Sequence, residues 1–192
     1  GVIALAKNLG FANEVIMKAL RGFQGDLKDN PGRGNYLTLP LPAANRTDNT
    51  VDDQTFQVLI DFAHNAHGLS AVCETLTALP SKRRLVVAGH VGSHSDEEIR
   101  EMTRVVAKIR PVYFSVTELP DYLRGRTVGE IPAMVIDELQ HLGYSGENIG
   151  SADTCMEGVQ HAVERVTAGD LLMLVGLDQQ EEILVFLEGL KK

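Results

Sequence analysis

Apolar residues recur along this chain with two alternating periods. Short, nearly continuous apolar runs at 55–61 (Phe56, Val58, Leu59, Ile60), 84–89, 112–116 and 171–175 read as strands buried on both faces. Weaker strand patterns stand at 35–39 and 148–150. Between them lie stretches with apolar residues at every third or fourth position, which predict helices over 1–23, 66–78, 96–108, 128–142, 154–166 and 179–190. The stripe Ile99, Met102, Val105, Val106 and Ile109 shows the helical spacing most clearly. Ser95 with Glu98 three residues on predicts a capping box for that helix. Gly22 and Gly169 mark helix stops. The run Gly-Asp-Leu-Lys-Asp-Asn-Pro-Gly-Arg-Gly at 25–34 is too rich in turn formers for a regular element and reads as a hinge or linker. The polar segment 43–53 reads as a surface loop. Buried strands alternating with amphipathic helices predict an α/β fold over about 35–192: a doubly wound, mostly parallel, Rossmann-like sheet with helices on both faces.

Composition narrows the function classes. A chain of 192 residues with 44% hydrophobic content buries roughly 70% of its unfolded surface, so it needs no disulfide or metal staple. Its formal charge of −8 repels phosphate backbones and anionic lipid, arguing against general nucleic-acid or membrane-surface binding. Cys73 and Cys155 both fall in apolar helical patterns and read as buried hydrophobes in a reducing compartment. With neither a membrane-spanning run nor a signal-peptide pattern in this sequence, the cytoplasm is the expected location. Gly1 opens directly into a helical pattern, so the chain is expected to continue a longer protein.

In doubly wound folds ligands bind at the carboxyl ends of strands. Asp61-Phe62-Ala63-His64-Asn65 leaves one such end with a carboxylate suited to a ribose diol and with an imidazole and an amide suited to phosphate oxygens. The alternative is that Asp61 caps the next helix and His64 and Asn65 finish a turn. Arg33, flanked by Gly32 and Gly34, sits on backbone that can approach a ligand closely, and its guanidinium suits bidentate phosphate contact; a solvated linker arginine is the alternative. The loop 89–95 resembles a glycine-rich phosphate loop, but Asp96, Glu97 and Glu98 open the following helix with charge that opposes an anion. His64, His67, His90 and His94 are spaced three or four residues apart within each pair, yet no His-Glu-x-x-His occurs, and no metal site is expected. Arg124 and Arg126 either receive an acidic group or face solvent. No Gly-x-x-x-x-Gly-Lys-[Ser/Thr] loop and no Gly-x-Ser-x-Gly elbow are present.

Pro31-Gly32-Arg33 followed by Asp61-Phe62-Ala63-His64-Asn65 resembles the C-terminal domain of the Mur ligase family, in which a Pro-Gly-Arg linker precedes a strand ending in Asp-Tyr-Ala-His-Asn-Pro. Within the family the chain is most similar to the ligase half of cyanophycin synthetases, through Asn30–Asn35, Leu123-Arg124-Gly125-Arg126 with Gly129-Glu130, and Gly169-Asp170-Leu171-Leu172. The resemblance implies an ATP-dependent, ADP-forming amide ligase that phosphorylates a carboxylate and lets an amine, such as that of arginine, displace phosphate. It implies that 1–24 is the tail of a central ATPase domain, 25–34 the hinge and 35–192 the C-terminal domain. By the same resemblance Arg33 reaches the ATP phosphates, Asp61 holds the ribose, and His64 and Asn65 line the nucleotide and acyl-phosphate region, with His64 the catalytic candidate. Magnesium is expected to be held mainly by the central domain, so the chain alone is expected to be inactive. Two positions depart from the pattern. Gly92-Ser93-His94-Ser95-Asp96 stands where the cyanophycin group has Gly-Asp-Arg-Arg-Asp, and Ala66 replaces the proline after the asparagine. The first departure motivates an alternative, a non-catalytic nucleotide-binding or interaction module derived from the same fold.

Overall fold

In a computed structural model of the chain, residues 1–23, 26–27, 29–46 and 54–191 are described. Six strands form one sheet: β1 (Arg33–Pro40), β2 (Thr55–Asp61), β3 (Arg84–Gly89), β4 (Tyr113–Thr117), β5 (Ile149–Ala152) and β6 (Leu171–Val175), in the order β1-β2-β6-β3-β4-β5. All neighbours are parallel except β1, an edge strand antiparallel to β2. The described part of the β1–β2 connection holds a 3-10 turn at Ala43–Asn45 and no helix to carry a parallel crossover. The rest of the expected loop, 47–53, lies outside the described residues, as do 24, 25 and 28 of the expected hinge.

Side-chain alternation along the strands splits the interior into two cores. Phe56, Val58 and Ile60, Leu85 and Val87, and Leu172 and Leu174 point to one face and pack with α6 (Cys155–Val163) and α7 (Gln180–Gly189). Leu59, Val86 and Ala88, and Leu171, Met173 and Val175 point to the other. There they meet α3 (Ala66–Ala78), α4 (Asp96–Ala107) and α5 (Glu130–His141). Helices thus cover both faces, the doubly wound arrangement the pattern predicts. The Ser95–Glu98 capping box is present in both directions. Cys73 and Cys155 are buried free thiols, and burial raises the thiol pKa of each, that of Cys73 to about 11.

Three departures from the pattern have a clear physical cause. The helix expected over 1–23 is two helices, α1 (Val2–Asn8) and α2 (Asn13–Gly22), because Gly10 takes a φ of 82°, which no helix continues through. β1 starts at Arg33 rather than 35, drawn into pairing by β2. β5 runs to Ala152 because Val116 and Thr117 of β4 pair with Ser151 and Ala152.

The chain's winding opens a crevice. The helices after β2, β3 and β4 lie on one face, whereas α7, after β6, lies on the other. Since β6 sits between β2 and β3, the segments leaving the three carboxyl ends diverge there.

Candidate functional site

The first wall of the crevice is built by pairing β1 with β2. Arg33 stands opposite Asp61 in the register, and a bulge follows at Gly34, whose φ is 68°. Asn35 is buried and organises the approach: its Nδ2 donates to the Asn30 carbonyl at 3.1 Å and its Oδ1 accepts from the Gly32 N–H. The Phe62 N–H donates to the Gly32 carbonyl at 2.9 Å. Gly32 lies so close to Phe62 that an added Cβ would stand 1.7 Å from Phe62 Cε2. The exposed Arg33 guanidinium lies over the same ring, 5.7 Å from its centroid. Asp61 Oδ1 accepts from the Ala63 N–H at 2.7 Å, turning the chain out of the sheet. His64 Nδ1 lies 3.0 Å from the Phe62 carbonyl. A carbonyl only accepts, so that bond places the proton on Nδ1 and leaves the Nε2 lone pair available in the neutral ring.

The crevice itself is an open cleft lined by Phe62 and His64 after β2, His90, Val91 and His94 after β3, Leu119 and Tyr122 after β4, and Gly176, Leu177, Asp178 and Gln180 after β6. At its base β6 and β3 exit almost in contact: Gly176 has a φ of 61°, and a Cβ there would lie 2.5 Å from the Gly89 carbonyl oxygen. His90 is 8% exposed, and desolvation lowers its imidazole pKa to about 4, with His94 pushing the same way. The Asp178 N–H donates to Cys155 Sγ at 3.3 Å, tethering the loop after β6 to the N-terminus of α6.

Arg126 fastens the loops after β3 and β4 into one wall. Its Nε donates to the Gly92 carbonyl at 3.1 Å and its NH2 to the His94 carbonyl at 2.7 Å, and it pairs with Asp96 at 2.8 Å and Glu130 at 2.7 Å. The Gly92 N–H donates in turn to the Tyr122 carbonyl at 2.8 Å. Arg126 is therefore committed to protein groups and does not receive a ligand anion. Arg124 is exposed and stacks on Tyr122, 5.3 Å from the ring centroid.

Of the residues singled out in the sequence, Arg33, Asp61 and His64 come together at the carboxyl end of β2. Asn65 turns away: its Oδ1 accepts from the Gly68 N–H at 2.8 Å and caps α3, so the capping role considered for Asp61 falls to Asn65. His64, His90 and His94 share the cleft and His67 does not line it. Among the described residues no group of three or more His, Cys, Asp or Glu side chains could hold a metal ion. Sequence reasoning missed Asp178 and Tyr122. For Asp178 the signal was available, a carboxylate three residues beyond a fully buried strand in a fold whose strand ends bind ligands.

The fold and cleft define an α/β ligand-binding domain whose crevice lies at a topological switch point. The family model described as Mur ligase, glutamate ligase domain matches residues 45–177, and the chain belongs to that family. It is 24% identical over 161 residues to the cyanophycin synthetase of Crocosphaera subtropica, covering 84% of this chain and 16% of that protein. A solved UDP-N-acetylmuramoyl-L-alanyl-D-glutamate–2,6-diaminopimelate ligase superposes with a TM-score of 0.57 at 18% identity, over 97% of this chain and 36% of that one. Mycobacterium tuberculosis folylpolyglutamate synthase complexed with ADP superposes with a TM-score of 0.51 at 18% identity, over 77% of this chain and 32% of that one. The chain therefore spans well under half the length of these proteins. Among the described residues no helix is long and apolar enough to cross a membrane.

Proposed function

We propose that this chain is the C-terminal domain of an ATP-dependent, ADP-forming amide ligase working through an acyl phosphate. The carrying observation is the register pairing of Arg33 with Asp61 across β1 and β2, at the strand end from which Phe62 and His64 run into the cleft. A guanidinium and a carboxylate on adjacent strands suit a nucleotide: Arg33 for phosphate oxygens, Asp61 for the ribose hydroxyls. His64, its Nδ1 held by the Phe62 carbonyl, offers Nε2 to the acyl-phosphate region, while Asn65 orients that loop by capping α3. Charge grows on phosphate oxygens during phosphoryl transfer, so fixed cations and donors at this edge lower the barrier. Of the family's reactions we favour a cyanophycin synthetase-like one, adding an amino acid such as arginine to a carboxylate, on the motifs at Asn30–Asn35 and Leu123-Arg124-Gly125-Arg126.

Magnesium would enter with the nucleotide. The described residues do not fit a protein-built site for it; its ligands would belong to the ATPase domain proposed to precede this one. That domain assignment takes residues 1–24 as the ATPase domain's tail. It is supported by exposed apolar side chains on and beside α1 and α2, among them Leu5, Leu9, Phe11, Val15, Leu20 and Phe23. The test is acceptor-dependent ADP release by the complete gene product, compared with its Arg33→Ala and Asp61→Ala variants. Loss in both supports the assigned roles, and unchanged turnover in both refutes them.

A further inference from the structure

The cleft can be read for the charge of what it accepts. Among the described residues that line it there is no lysine or arginine, and Asp178 is the single carboxylate. No hydrogen bond or ion pair reaches that carboxylate from the described residues; only the backbone N–H of Asp178 is engaged. Half-buried and unpaired, it retains its full demand for a cationic partner. His90 is the second unpartnered group. More than nine-tenths buried, it lines the same cleft, and neither ring nitrogen bonds a described protein group. Burial keeps its ring neutral at physiological pH, so it offers an acceptor nitrogen and no competing positive charge.

From this lining we propose that Asp178 is the specificity-determining residue of the cleft, seating the side-chain ammonium or guanidinium group of the acceptor and excluding acceptors with acidic side chains. The inference deepens the ligase reading and rests on it. It runs against the glutamate of the family description: a glutamate side chain placed here would face Asp178, and no described lining residue carries a guanidinium or ammonium to offset the repulsion.

The test uses the complete gene product, saturating ATP, an aspartate-rich peptide as the carboxylate to be phosphorylated, and L-arginine, L-lysine, L-alanine and L-glutamate as acceptors, with acceptor-dependent ADP release as readout. Arginine or lysine should give the highest kcat/KM and glutamate the lowest. Asp178→Asn keeps the shape and the backbone tether. It should raise the KM of the preferred cationic acceptor by about ten- to a hundredfold, the range expected for a lost hydrogen bond to a charged group. The KM for ATP should stay within about twofold, and Asp178→Glu should recover most of the loss, which a merely structural role would not produce. Glutamate as the best acceptor, or an unchanged acceptor KM in Asp178→Asn, overturns the proposal. If no amine raises ADP release, the ligase reading fails for this carboxylate, and equilibrium dialysis of L-arginine then decides the cleft. Binding lost in Asp178→Asn upholds the cationic site, and no binding, or equal binding by both proteins, overturns it.

Discussion

Gly32 carries two separable burdens, and a single methyl group exposes both. Its φ of 70° lies in the left-handed region, where an L side chain costs about 1–2 kcal/mol. A Cβ there would also stand 1.7 Å from Phe62 Cε2, far inside van der Waals contact, so the ring must shift, at an overpacking cost of about 1–3 kcal/mol. Gly32→Ala is thus expected to destabilise the 192-residue chain by about 2–5 kcal/mol in chemical denaturation followed by far-ultraviolet circular dichroism. Gly10→Ala isolates the backbone part: its φ is 82° with nothing within 4 Å of the added Cβ, so about 1–2 kcal/mol should be lost. Phe62→Ala isolates the steric part. Combined with Gly32→Ala it should be less destabilising than the two single losses added, by about 1–3 kcal/mol, because the methyl group then occupies space the ring has left. Additivity to within about 0.5 kcal/mol would refute the steric account and show that the ring moves aside freely. The region matters beyond stability, since the ring that Gly32 admits is the one Arg33 stacks on.

Two further outcomes are expected. Arg126→Ala should reduce hydrogen-exchange protection of the Gly92 amide by about tenfold or more while β3 amides such as that of Val86 keep theirs, because the arginine alone joins the Gly92 and His94 carbonyls to Glu130; equal loss in β3 would mean global rather than local opening. His90, neutral when buried, should make stability fall as pH drops from about 6.5, where the unfolded ring takes up its proton, to about 4, where the folded ring does, and in His90→Gln that fall should shrink; identical slopes would place the acid sensitivity elsewhere.

Much of the fold was legible because each element states its own period. β2, β3, β6 and α3 stand at the boundaries their apolar runs mark, and α4 begins behind the cap that Ser95 and Glu98 announce. The break at Gly10 was harder to see: α1 buries none of its residues and α2 only Ile16, so no packed face disciplines the apolar spacing there. The site was legible in part. Arg33, Asp61 and His64 are short-range signals, each beside a strand end. Arg126 and Asn65 looked available because sequence spacing does not show which carbonyls or amides will consume a side chain.

Sequence alone therefore determined the alternation of strands and helices, the two-faced core, and the polar residues that leave β2, since these follow from local periodicity and turn chemistry. Tertiary structure decided the strand order, and with it everything that depends on proximity. Inserting β6 between β2 and β3 brings Asp178 to the same cleft as His64 and His90, from a segment more than eighty residues further along the chain. No local period encodes that meeting. It arises because the last strand completes the middle of the sheet, where its apolar side chains find partners on both faces.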